Sequence, residues 1–259
     1  MPNVVGAVLA FVIAFVVMLA CISVGRRFGR RALVGEETTR PAGLGTVETV
    51  AFGLLALLLA FTFSGASSRF DTRRAQIVEE ANDIGTAWLR LDLLPPAAQP
   101  KLRETFRRYV DARLAHYRSI ADSDFEAARA AYDRSTELQN AIWTETVAAC
   151  REAPLQASIV LLPALNAMFD ITTTRMAATD MHTPRVIFAV LALLSMVCAL
   201  LVGYEMGASP TRSRIHIWGF AAILAFTLYA ILDFEYPRLG LIRIDDLDKY
   251  LLRVRVAMK

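Results

Sequence analysis

Residues 46–68 carry side chains whose order along a helix could form an ion pathway. At 100° per residue, one stripe is large and apolar in its middle and becomes small and hydroxylated towards its end. The stripe consists of Val50, Leu54, Leu57, Phe61, Gly65 and Ser68, with Gly53 and Ser64 at its edge. Leu and Phe side chains from several subunits would form a hydrophobic constriction, which can gate by dewetting. The positive edges of phenyl rings can face a passing anion without any fixed basic residue.

The same pattern has a second interpretation, in which Leu57 and Phe61 pack the core of a helix bundle. Beside the stripe, small residues recur every four positions, at Ala56, Ala60, Ser64 and Ser68. Such a small-xxx-small pattern lets two helices approach closely. The sequence therefore predicts a helix used for a pore, for packing, or for both.

Three further polar residues are candidates for ion contact. Asn166 and Asp170 are four residues apart, so they share one face of a predicted helix. They could line a vestibule or bind an ion, although hydrogen bonds between helices would explain them as well. Glu205 lies near the end of an apolar stretch, and a carboxylate there is a functional hypothesis by default. It could also simply reach the lipid headgroups.

The remaining carboxylates suggest no chemistry. Glu79, Glu80 and Asp83 lie on a charged helix, which favours a solvated face. Asp233 and Glu235 close an apolar stretch, which favours a solvated helix end over a metal site. No GxSxG, HExxH, P-loop or GxGxxG motif occurs in a suitable context. The three cysteines and three histidines form no metal-binding pattern. We therefore expect neither an enzyme nor a cofactor or metal site.

Four apolar stretches determine the predicted architecture: 4–24, 46–68, 186–206 and 215–232. Each is long enough for a hydrocarbon core of about 30 Å. Each must be helical, because isolated strands cannot satisfy their backbone groups in lipid. We predict an all-α, multi-pass membrane protein with a long extramembrane helical insertion between the second and third spans. The corresponding segments are 1–68, 69–184 and 185–259. The net charge of +3 is too small to indicate nucleic-acid binding.

Helix breakers divide the insertion. Pro95 and Pro96 end a first helix, a second is predicted over 99–120, and Asp122 or Ser123 could cap a third that ends near residue 151. Pro154 suits the first turn of a fourth helix, which Pro163 would bend. One apolar face of the second helix is predicted to be buried; it comprises Leu102, Phe106, Tyr109, Val110, Leu114 and Tyr117.

Charge at the span ends bears on topology. Arg26, Arg27, Arg30 and Arg31 follow the first span directly, and Arg212 and Arg214 lie between the last two spans. The positive-inside rule counts short loops, so it favours a cytoplasmic position for both connections. The insertion would then lie outside the cytoplasm.

Residues 59–94 resemble the bestrophin-like domain family of bacteria, whose relatives, the bestrophins, are anion channels. The resemblance rests on Phe61 followed by Arg69 and Phe70, on Arg74, and on the run 79–82. The stretches LLPALNAMFDITTTR (161–175) and DFEYPRLGLIRID (233–245) also resemble that family, as does the order of two helices, insertion and two helices.

The resemblance implies a homopentamer in a bacterial plasma membrane that passes small anions such as chloride. By register, Phe61 and Leu57 match neck residues of the pore, while Gly53 departs from the pattern and would widen or remove one ring. Asp71 stands where the family has a second aromatic residue. The carboxylates after the fourth span are too sparse for a calcium site. The resemblance also implies a cytoplasmic insertion, against the charge rule.

Overall fold

Eight α-helices and two short 3-10 turns build the part of the chain described by the computed structural model, which covers residues 2–32, 44–208, 214–238 and 240–259. No strand occurs in these ranges. The 3-10 turns are Leu91–Leu93 and Asp245–Asp248. The helices are α1 (Pro2–Ala32), α2 (Leu44–Arg90), α3 (Gln99–Ala121), α4 (Phe125–Cys150), α5 (Leu155–Asp180), α6 (Arg185–Ala208), α7 (Arg214–Glu235) and α8 (Lys249–Ala257).

Four helical stretches among the described residues are long and apolar enough to cross a membrane. They are Gly6–Ala32, Gly45–Leu93, Leu155–Gly207 and Ile215–Glu235, the third of which includes both α5 and α6. The predicted all-α class and the four apolar spans are therefore confirmed. Arg212, one of the basic residues used to predict topology, lies outside the described residues.

The chain divides into two compact units. The first comprises Met1–Ser68 and His182–Ile242, and the second comprises Arg69–Met181 and Arg243–Lys259. The first unit thus contains α1, the beginning of α2, α6 and α7, whereas the second contains the rest of α2, α3, α4, α5 and α8. The division by membrane topology into 1–68, 69–184 and 185–259 stays a prediction.

Glycines hold α1 against α6 in the first unit. A methyl group at Gly25 would overlap the carbonyl oxygen of Leu200, and one at Gly203 would overlap that of Ile22. A methyl group at Gly29 or Gly207, one turn further on, would also overlap a backbone oxygen of the facing helix. The GxxxG sequence of α6 therefore meets a matching GxxxG sequence of α1, and both backbones come close because neither carries side chains there.

The second unit has its own apolar core. The predicted buried face of α3, Leu102 to Tyr117, is buried as expected. The cap of α4 differs from the prediction, because Asp124 accepts a hydrogen bond from Ala127 N at 3.0 Å, while Ser123 adopts a left-handed φ of 63° in the turn before it. Asp122 is the C-cap of α3. The N-cap therefore lies one residue after Ser123, because Ser123 forms the turn between α3 and α4.

The C-terminal helix α8 completes this core. Leu251 and Met258 are buried with the α3 side chains, and Arg107 Nε donates to Met258 O at 3.0 Å. Arg255 binds Asp111 through two hydrogen bonds of 2.8 and 3.0 Å. Such a two-pronged guanidinium–carboxylate contact fixes both position and orientation of the helix.

Candidate functional site

The predicted stripe of α2 lies on the surface of the first unit. Phe61 is 69% exposed and Leu57 54% exposed, and Gly53, Ser64 and Ser68 are exposed with them. A Cβ atom added to Gly53 would meet no atom within 4 Å. The face is therefore open around the predicted neck, and its chemistry changes from apolar to hydroxylated as the sequence indicated.

The opposite side of α2 packs against the core of the first unit. Leu55, Thr62 and Ala66 are buried there, and the Thr62 hydroxyl donates to Leu58 O of its own helix at 2.7 Å. Phe63 packs edge-on against Phe234 of α7, with ring centroids 5.4 Å apart. The helix is thus held by one side, and within a single chain Leu57 and Phe61 do not belong to the core.

The two basic residues after the predicted neck lie in the second unit and differ from each other. Arg69 is half-buried, whereas Arg74 is exposed, forms an ion pair with Asp71 at 3.3 Å and lies over the Phe70 ring at 5.5 Å. Phe70 itself is buried. Asp71, the departure from the family pattern, therefore partly neutralises Arg74.

The three other candidate residues are exposed and dispersed over two units. Asn166 and Asp170 share an exposed face of α5 in the second unit, and among the described residues neither side chain forms a hydrogen bond. Glu205 is exposed on α6 in the first unit. An ion-contact role for these side chains stays a prediction.

A buried ion-pair network in the second unit was missed by sequence reasoning. The expectation of a solvated Glu80 is wrong: its side chain is fully buried, with Oε1 2.7 Å from Nε of Arg113. Arg175 Nη1 and the Tyr117 hydroxyl both donate to Glu80 Oε2, the latter at 2.9 Å. Arg113 also donates to Tyr117. The network joins α2, α3 and α5, while the neighbouring Glu79 is exposed as predicted.

The charges in this network are stable near neutral pH. Burial alone would raise the pKa of Glu80, but the positive charges of Arg113 and Arg175 outweigh it and hold that pKa at about 2. Burial also raises the pKa of the Tyr117 hydroxyl, which keeps its proton available to Glu80. The network is therefore a fixed structural element and undergoes no protonation change at physiological pH.

Asp233 and Glu235 were also predicted to be solvated, and this is wrong because both are buried. Asp233 accepts hydrogen bonds from the backbone N–H groups of Leu241 and Ile242, each at 2.8 Å. Glu235 accepts one from the N–H of Thr183 at 2.7 Å. Both carboxylates satisfy backbone groups outside the helices, a role that a helix-end residue can take only when the chain folds back over it.

The described residues bring no group of three or more His, Cys, Asp or Glu side chains together in a way that could hold a metal ion. What the structure does define is a class: an all-helical membrane protein with four apolar spans and a charged helical unit with its own core.

Comparison with known proteins identifies the family within that class. A model of the bestrophin-like domain matches residues 12–247, nearly the whole chain, and the protein belongs to this family. No curated protein and no solved structure matches the sequence. The three stretches that carry the resemblance contain four of the buried charged residues: Glu80 is in the first, Arg175 in the second, and Asp233 and Glu235 in the third, while Arg113 lies outside them.

Proposed function

We propose that the protein is a homo-oligomeric channel, a pentamer, that passes small anions such as chloride through an axial pore lined by α2. The main support is that Leu57 and Phe61 are exposed on one face of α2, while the other face of this helix is packed. A large apolar face that is open in one chain is normally covered in an assembly or by lipid. In a cyclic assembly this face would surround the axis.

The chemistry of the face suits a hydrated anion. Phe61 and Leu57 would form the hydrophobic constriction, where conduction depends on wetting. Beyond it the hydroxyl groups of Ser64 and Ser68 would donate hydrogen bonds that replace part of the hydration shell. Gly53 would leave one ring of the neck open, because it adds no side chain.

Charged groups outside the neck have secondary roles in this proposal. Arg69 and Arg74 would raise the local concentration of anions, although the ion pair of Arg74 with Asp71 weakens its contribution. Asn166, Asp170 and Glu205 are candidates for contact with ions in the wider parts of the path. The protein has no catalytic role in this proposal, and a bacterial plasma membrane is its expected location.

Purified protein in liposomes tests the proposal. The wild type should mediate chloride flux, and Phe61→Ala should raise it at least about threefold or change selectivity, because a narrow apolar ring is removed. Phe63→Ala is the matched control, since Phe63 packs on Phe234 and not in the proposed neck. Its flux should stay within twofold of the wild type. Absence of flux from all three proteins, across several anions and voltages, would overturn the proposal.

The alternative is a membrane-anchored interaction or sensory module without a conducting pore. Its support is the second unit, which has a complete core and a buried ion-pair network of its own. The oligomeric state in detergent separates the two proposals. A ring with α2 at its axis favours the channel, whereas a monomer or dimer without a central axis favours the anchor.

A further inference from the structure

Three arginines at the end of α1 form an exposed basic surface. Arg27, Arg30 and Arg31 are exposed, and none of them forms an ion pair within the described residues. At 100° per residue they fall within an arc of about 100°. Three neighbouring guanidinium groups with no carboxylate paired to them among the described residues repel one another, so the surface favours an anionic partner.

This basic surface faces away from the interior of the first unit. Gly25 and Gly29 lie on the side of α1 that contacts the α6 backbone. Helical spacing places Arg27 and Arg31 on the opposite side. The guanidinium groups are therefore directed at whatever surrounds the unit, and a partner can reach them without disturbing the contact between α1 and α6.

The same side of α1 favours lipid as the surroundings. Its exposed residues before the arginines include large apolar side chains, namely Leu9, Val12, Ile13, Val16 and Val24. Exposed Ser23 lies among them, and its hydroxyl donates to Leu19 O of the same helix at 2.7 Å. Leu9 and Arg27 are five helical turns apart, or roughly 27 Å. That length is close to the hydrocarbon thickness of a bilayer, about 30 Å. When the apolar residues face acyl chains, the arginines lie at the depth of the phosphates, with exposed Phe28 beside them.

We propose that Arg27, Arg30 and Arg31 bind the headgroups of anionic phospholipids. Guanidinium groups bind phosphate oxygens through paired hydrogen bonds, and juxtamembrane clusters of basic residues attract anionic lipids. Phosphatidylcholine also has a phosphate, but its choline group cancels the charge. Net-anionic lipids are therefore preferred. This inference concerns a different surface from the pore and does not depend on ion conduction.

Lipid binding to the full-length protein in detergent tests the proposal, with native mass spectrometry to count bound lipids and thermal unfolding to measure their effect. The probes are phosphatidylglycerol, phosphatidylcholine and inorganic phosphate. The wild type should bind and be stabilised by phosphatidylglycerol only. The triple variant R27Q/R30Q/R31Q should bind it at least about tenfold more weakly.

The triple variant R118Q/R129Q/R151Q is the matched control, because it removes the same charge from exposed arginines of the second unit. It should bind phosphatidylglycerol like the wild type. If the first triple variant does not fold, its three single variants carry the test, each with about fivefold weaker binding. Three results would each overturn the proposal. They are an equal loss of phosphatidylglycerol affinity in both triple variants, binding of phosphatidylcholine as tight as that of phosphatidylglycerol, and a thermal stabilisation by inorganic phosphate equal to that by phosphatidylglycerol.

Discussion

The carboxylate of Glu80 and the guanidinium of Arg113 meet inside the second unit, with Oε1 2.7 Å from Nε, and both side chains are no more than 2% exposed. Arg175 completes the contact from α5. Three helices are therefore joined at one carboxylate. Removing one member of such a network leaves the remaining charges buried and unpaired, which costs more than the contact itself contributes.

Glu80→Gln should lower the free energy of unfolding by about 3–5 kcal/mol, because Arg113 and Arg175 lose their counter-ion in a buried site. Chemical denaturation of the protein in detergent, followed by tryptophan fluorescence, to which buried Trp88 contributes, measures the change. Glu79→Gln is the control, since Glu79 is adjacent and exposed. Its effect should stay within about 0.5 kcal/mol. Similar effects of the two substitutions would contradict the assigned role of Glu80.

The stabilisation from Glu80 should depend on pH only in acid. Its pKa of about 2 in the folded protein lies below the ordinary value of about 4.3. A lowered pKa contributes stability that is fully present above pH 4.3 and is lost as the pH falls towards 2. The difference in unfolding free energy between wild type and Glu80→Gln should thus be constant from pH 8 to about pH 5 and shrink below pH 4. A difference that already declines between pH 7 and pH 5 would show that the pair is weaker than the geometry indicates.

Gly203→Ala should destabilise the first unit by about 1–3 kcal/mol, because the added methyl group overlaps the Ile22 carbonyl and forces α1 and α6 apart. Gly219→Ala in α7 is the control, since a Cβ atom there meets nothing within 4 Å. It should change stability by no more than about 1 kcal/mol. Thermal unfolding in detergent compares the two variants. If Gly203→Ala left the thermal stability unchanged, the backbones of α1 and α6 would not be in contact.

The sequence predicted features that depend on local spacing. The α2 stripe around Phe61 follows from 100° per residue, and the buried face of α3 through Phe106 and Tyr109 follows from the same rule. The GxxxG sequence at Gly203 is likewise a local signal of a close helix contact, but it does not identify the partner helix α1.

Long-range partners were not predictable in this way. Glu80 lies on the apolar side of α2, between buried Ile77 and Ile84, and that position was the available signal. It was missed because the neighbouring carboxylates made the whole helix appear solvated. Arg113 and Arg175 are 33 and 95 residues away, so no local pattern connects them to Glu80. Asp233 likewise accepts a hydrogen bond from a backbone N–H group of a loop, and only folding brings that loop beside it.

The backbone contact between α1 and α6 has a consequence for biosynthesis. Because α6 follows the whole of α2 to α5 in the chain, α1 leaves the ribosome long before its partner exists. During that interval Gly25 and Gly29 lack the backbone of α6, and α1 must remain in the bilayer through its own hydrophobicity. Its uncharged stretch before Arg26 meets that requirement. Assembly of the first unit is therefore a late event, which takes place between helices that are already inserted.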